Sequence, residues 1–124
     1  MRFLAIGALA LVLAAPRVLA QEALDPAPAT WRGLQLGPEQ VFEGEFTTNF
    51  ETSSFRPDGA AASDAVWLAG WEDRPGDNGA ITRRYHLRFV GRRTVEPGRY
   101  GRLGAFRNEV LIVRLLEERV LLTP

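Results

Sequence analysis

The amino-acid sequence predicts an all-β fold, a small rolled sheet of five or six strands behind a cleavable export leader. Three observations carry this. Apolar residues alternate with polar ones at period two over 42–50 and 81–90, the spacing of a half-buried strand. Gly, Pro, Asp and Asn clusters punctuate the chain every 10 to 20 residues. No stretch after the leader carries a sustained apolar stripe at helical spacing except the ambiguous 109–122.

Met1-Arg2 is a short positive start, Phe3 to Ala15 an apolar run, and Val18 and Ala20 fit the small-residue pockets of signal peptidase, with cleavage before Gln21. The run is too short to cross a bilayer, which takes about 20 apolar residues. No cysteine follows, which excludes a lipid-anchored lipoprotein. Residues 1–20 are therefore expected to engage the Sec machinery and signal peptidase, leaving 104 residues with no membrane span. The chain has no cysteine at all, so stability falls to the core alone. Trp31, Trp67, Trp71, Tyr85, Tyr100 and six phenylalanines supply its material.

Residues 21–30, with Pro26 and Pro28, read as a flexible leader, with the barrel domain over 31–124. Phe42, Gly44, Phe46 and Phe50 fall on one face of the first long strand, Glu43, Glu45, Thr47 and Asn49 on the other. Gly44 suits a sharp coil. Phe55 has the opposite parity, so either a bulge near Ser53-Ser54 turns it inward or the strand ends there. Residues 57–64 form a loop and 65–71 a strongly apolar strand; 72–79 is a turn cluster closed by the reversal Asp77-Asn78-Gly79. In the next strand Ile81, Tyr85, Leu87 and Phe89 face inward, with Arg83 as a charged member near the end, against Thr82, Arg84, His86 and Arg88. Glycine at 98, 101 and 104 marks a tight connection. Within 109–116, Val110, Ile112 and Leu116 fall on one face and Leu111, Val113 and Leu115 on the other, which predicts a strand covered on both sides, with a short pairing over 120–122; the β-branched residues favour strand over an amphipathic helix. An oligonucleotide/oligosaccharide-binding (OB) barrel fits this strand count and the long glycine-interrupted first strand best.

Every basic residue is arginine, and the charges are segregated: 21–78 holds 3 Arg against 11 acids, 79–124 holds 10 Arg against 4. Oppositely charged halves of a small barrel most simply pair across the sheet; a two-sided, dipolar surface that docks a partner is the alternative. A net charge near neutrality gives no bulk attraction to nucleic acid, and no nucleic-acid partner is expected. Arg84, Arg88, Arg92, Arg93, Arg99, Tyr100, Arg102 and Arg107 form the candidate surface for an unknown protein partner or small ligand, near Trp67 and Trp71, which serve either as core or as binding platform.

Catalytic chemistry finds little footing. His86 is the single histidine; Ser53 or Ser54 with Asp58, Asp64 or Asp73 would have to complete a triad, and no nucleophile-elbow pattern is present. One histidine without cysteine does not assemble the usual zinc ligand sets, and Asp73, Asp77 and Asn78 miss the calcium-loop spacing. Glu43, Glu45 and Glu51 read as a solvated face rather than a glycosidase pair, and the glycine run lacks a phosphate-loop lysine. No catalytic residue, metal or cofactor is expected. The alternative is a small envelope-associated hydrolase using His86 with an acid or serine.

The segments Phe42-Glu43-Gly44-Glu45-Phe46 and Glu51 to Pro57, the tryptophan strand at 67–71, and Gly98 to Phe106 followed by Glu109 resemble a group of small exported proteins of Gram-negative bacteria with no assigned function. The resemblance spans most of the mature chain and implies an OB-like barrel in the periplasm or secreted. Such proteins often carry a Cys after the equivalent of Pro57 and a His in place of Arg102; here Asp58 and Arg102 stand there, and no catalytic residue carries over.

Overall fold

A computed structural model describes residues 23–73 and 79–121 of the chain. The predicted signal peptide, the first two leader residues, most of the 72–79 turn cluster and Leu122 lie outside those residues. The strands are β1 (Ala29–Trp31), β2 (Leu34–Leu36), β3 (Gln40–Thr48), β4 (Ser53–Pro57), β5 (Val66–Ala69), β6 (Arg83–Arg93) and β7 (Glu109–Val120). β3 to β7 close a barrel in the order β3-β4-β5-β7-β6, every pairing antiparallel except β5 with β7. This is the five-stranded OB arrangement, and the all-β expectation holds. Among the described residues no helix is long and apolar enough to cross a membrane.

The barrel core is what period two dictates. Phe42 and Phe46 of β3, Phe55 of β4, Val66 and Leu68 of β5, Tyr85, Leu87 and Phe89 of β6 and Val110 of β7 form one buried cluster. Phe42 stacks on Phe89 at 5.3 Å between ring centroids, and Phe55 meets Phe89 edge-on at 5.1 Å. Gly44 is needed where β3 coils against β4: a Cβ there would lie 2.8 Å from Pro57 Cα and closer still to the Arg56 carbonyl oxygen. Trp71 closes one end over Phe46 and Tyr85, at 5.0 and 4.9 Å.

Several expectations need correction. β3 stops at Thr48, where Asn49 caps a turn by accepting the Glu51 and Thr52 N–H groups, so Phe50 is exposed and Phe55 turns inward from a separate strand. Ile81 also falls outside its strand and is exposed. β7 runs unbroken to Val120, but it is not covered on both faces: β5 reaches only Glu109 to Leu111, and Val113, Leu115 and Val120 are exposed beyond it.

The leader is not loose either. Arg32 and Gly33, at φ 49° and 76°, make the two-residue turn of a β1–β2 hairpin beginning at Ala29. Upstream of it, the Asp25 N–H donates to Glu39 Oε1 at 3.0 Å and the Glu39 N–H to the Asp25 carbonyl at 2.9 Å. Two prolines and a strand of three residues leave too short a pattern to read as structure.

Candidate functional site

The outer face of the sheet is where the two charged halves of the chain meet. β3 and β6 pair with Glu43 opposite Arg88, Glu45 opposite His86 and Thr47 opposite Arg84. Arg84 donates to Glu45 Oε1 through Nε and Nη2, at 3.0 and 2.6 Å, and Arg88 Nε lies 3.7 Å from Glu43 Oε1. Arg84 and Arg88, four residues apart on the outer face of β6, thus meet Glu45 and Glu43, two residues apart on the outer face of β3.

Arg92 departs from the expected ligand surface. It is 7% exposed. Its Nη1 donates to the Ala27 and Gly37 carbonyls at 2.6 and 3.0 Å, and its Nη2 lies 3.1 Å from Asp25 Oδ2 and 3.7 Å from Glu39 Oε2. The cause is the two segments that flank the hairpin, Asp25 to Ala27 of the leader and Gly37 to Glu39: they bring carbonyls and two acids onto this guanidinium and make it structural.

Arg93, Arg99, Tyr100, Arg102 and Arg107 belong to the β6–β7 end. Arg93 donates to Asn108 Oδ1 at 3.0 Å, and Asn108 in turn donates to Thr94 Oγ1 at 3.1 Å. The loop from 94 to 108 is folded on itself: Tyr100 bridges Phe106, the Gly98 N–H donates to the Arg107 carbonyl at 2.8 Å, and Tyr100 Oη donates to the Glu96 carbonyl at 2.7 Å. Its tip is a 3-10 turn at Arg102–Gly104 with Leu103 at φ 58° and 87% exposed. Arg102 Nη2 lies 3.8 Å from Glu51, which ties this loop to the one between β3 and β4. Arg93, Arg107 and Asn108 line a hollow of about 230 Å³ with Ser63, Asp64 and Pro97. The eight expected surface residues therefore divide into an outer-sheet pair, one buried guanidinium and a loop group, rather than one patch.

Comparison with known proteins changes none of this. No family model, curated protein or solved structure matches the chain.

The two tryptophans part ways. Trp71 belongs to the core, as above, whereas Trp67 sits half-buried on the outward face of β5, edge-on to Phe106 at 5.6 Å and roofed by Gly101. The ring that OB barrels commonly offer to a ligand is here covered by the chain's own loop.

His86 has real company. Its Nε2 lies 2.8 Å from Asp58 Oδ2 and 3.9 Å from Glu43 Oε2, and these three groups can bring their donor atoms within 4.8 Å of one another. The Asp58 N–H donates to the Glu43 carbonyl at 2.9 Å, which seats the acid just past the end of β4. Asp58 was one of three acids the sequence offered to His86; Glu43 read only as part of a wet face. Three neighbouring strands, β4, β3 and β6, were needed to join them. Among the described residues no triad accompanies the pair. Ser53 Oγ donates to the Leu68 carbonyl at 2.5 Å, and Ser54 pairs with Thr47, toward the opposite end of β4 from Asp58. Asp64 lines the Arg107 hollow, and Asp73 lines another with Asn49 and Phe50.

One carboxyl outside these groups is perturbed. Burial holds Glu109 above the ordinary glutamate range, opposed in part by the Arg32 guanidinium.

Proposed function

We propose that the protein is an exported, non-catalytic β-barrel module of the Gram-negative periplasm that binds a protein partner or small ligand through the arginines of its β6–β7 connection. One observation carries the reading. Arg84, Arg88 and Arg92 already face acids, whereas Arg99 and Arg107 make no ion pair among the described residues. Arg102 has a long contact to Glu51 with both side chains more than half exposed. Exposed or weakly paired guanidinium groups on a loop hydrogen-bonded to itself favour carboxylate or phosphate, which they hold in a planar fork. OB barrels take ligands on the face of their second and third strands, between the loops joining strands one to two and four to five. Here those loops carry Glu51 and the arginines. The first twenty residues support export.

The test replaces Arg99, Arg102 and Arg107 together by Gln. The mature protein is expected to retain a partner from periplasmic extract, or to gain thermal stability with an anionic member of a metabolite panel, and the triple variant to lose it. Binding that survives the triple replacement overturns the reading.

The His86–Asp58 contact favours a second reading, the small envelope-associated hydrolase. It lacks a nucleophile held against the histidine. A turnover that disappears in His86→Ala would install it in place of the first.

A further inference from the structure

We propose that Glu43, Asp58 and His86 form a binding site for a divalent transition-metal ion of the zinc class. The inference is independent of the arginine loop, which contributes none of the three side chains.

The geometry comes first. Donors around one four-coordinate ion at about 2.0–2.2 Å stand roughly 3.4 Å from one another. His86 Nε2 stands 2.8 Å from Asp58 Oδ2 and 3.9 Å from Glu43 Oε2, distances that bracket that value. All three donor atoms lie within 4.8 Å of one another, a span for side-chain rotation to close around one ion. The backbone is itself fixed: Glu43 sits in the middle of β3, His86 lies on β6 across from Glu45, and the Asp58 N–H is held by the Glu43 carbonyl.

The carboxylate of Glu43 is oriented for the task. Its Oε1 faces Arg88 Nε at 3.7 Å, leaving Oε2 toward the imidazole. A ligand carboxylate steadied through its other oxygen is the usual outer-shell arrangement of metal sites. Arg88 is on this account a positioning residue.

The donor set selects the ion. One imidazole with two carboxylates suits zinc and its neighbours, whereas calcium and magnesium take oxygen donors throughout. Three protein donors leave a coordination position open. Glu43 and His86 also line a hollow of about 460 Å³ with Glu117, Glu118 and Arg119 of β7. Asp58 and Glu43 are about half exposed, so an ion reaches the site from solvent.

The competing account is a plain ion pair between His86 and its acids. Calorimetric titration of the mature protein with zinc chloride in a non-chelating buffer separates the two. Expected is saturable uptake of one zinc per chain, weakened at least about tenfold in each of His86→Ala, Asp58→Asn and Glu43→Gln, at or above the range seen when outer-shell partners are lost. Asp64→Asn, in the other hollow, should bind as wild type does, and excess calcium should not displace the zinc. Circular dichroism on each variant checks the fold, and the three separate substitutions keep the test valid if one of them fails to fold. Absence of saturable zinc uptake by the wild type, or uptake unchanged in His86→Ala and Asp58→Asn, overturns the proposal.

Discussion

Replacing Gly101 by Ala tests how the β6–β7 loop is fastened to the barrel. Gly101 has φ 72° and ψ −162°, a region reserved in practice for glycine. An alanine there carries a backbone penalty of about 1–3 kcal/mol. Its Cβ would also stand 2.5 Å from Trp67 Cε3 and 2.6 Å from Cδ2. Carbon atoms prefer about 3.5–4.0 Å, so the loop or the ring must shift by roughly an ångström. Phe106 sits edge-on against that ring and resists the shift. Overpacking of this kind adds about 1–3 kcal/mol, for a total of about 2–6 kcal/mol. Urea unfolding followed by far-UV circular dichroism measures it. A cycle with Trp67→Val divides the two causes: with the ring gone the steric share vanishes and the backbone share stays, a coupling of about 1–3 kcal/mol. If Gly101→Ala lies within about 0.5 kcal/mol of wild type, the usual range for uninvolved surface sites, the fastening argument fails. It fails equally if the penalty is the same with and without the Trp67 ring.

Two further outcomes follow from buried charge. Arg92→Met keeps the aliphatic stem but strands the Ala27 and Gly37 carbonyls and leaves Asp25 and the largely buried Glu39 without their cation, an expected loss of about 2–4 kcal/mol. Hydrogen exchange should localise that loss to the β1–β2 hairpin and the 25–27 segment; a change below about 1 kcal/mol refutes the structural role given to Arg92. Glu109 binds its proton more tightly in the folded chain than in the unfolded one, because burial outweighs the Arg32 attraction. Stability should therefore fall as pH rises from the ordinary glutamate range through the raised value, and stay lower above it. Glu109→Gln removes that fall, so the variant should match wild type in acid and exceed it near neutrality; a variant less stable than wild type near neutrality sinks the argument.

The sequence by itself determined the inward set of the barrel. Phe42, Phe46, Tyr85, Leu87 and Phe89 are legible because a strand's side chains alternate strictly, so period two in the chain becomes inside and outside in the sheet. It also favoured pairing of the acidic half with the basic half, since like charges directly opposite one another across a sheet are destabilising, and β3 against β6 bears that out. Glycine at 44 and 101 was visible as a constraint, though not what it made room for.

Tertiary structure alone decided everything that depends on which strands become neighbours and what covers them. Arg92 looks no different from Arg88 along the chain, yet the segments flanking a hairpin too short to announce itself enclose one and leave the other beside a glutamate. Phe50 continues the alternation of β3 but falls beyond the Asn49 turn, and so points to solvent. Glu43 and His86 lie on two strands and Asp58 just past the end of a third, brought side by side only when the barrel closes. Alternation is a local property of backbone geometry and can be read from the chain. Adjacency between distant segments is set by the closure of the whole sheet, and no short window of sequence encodes it.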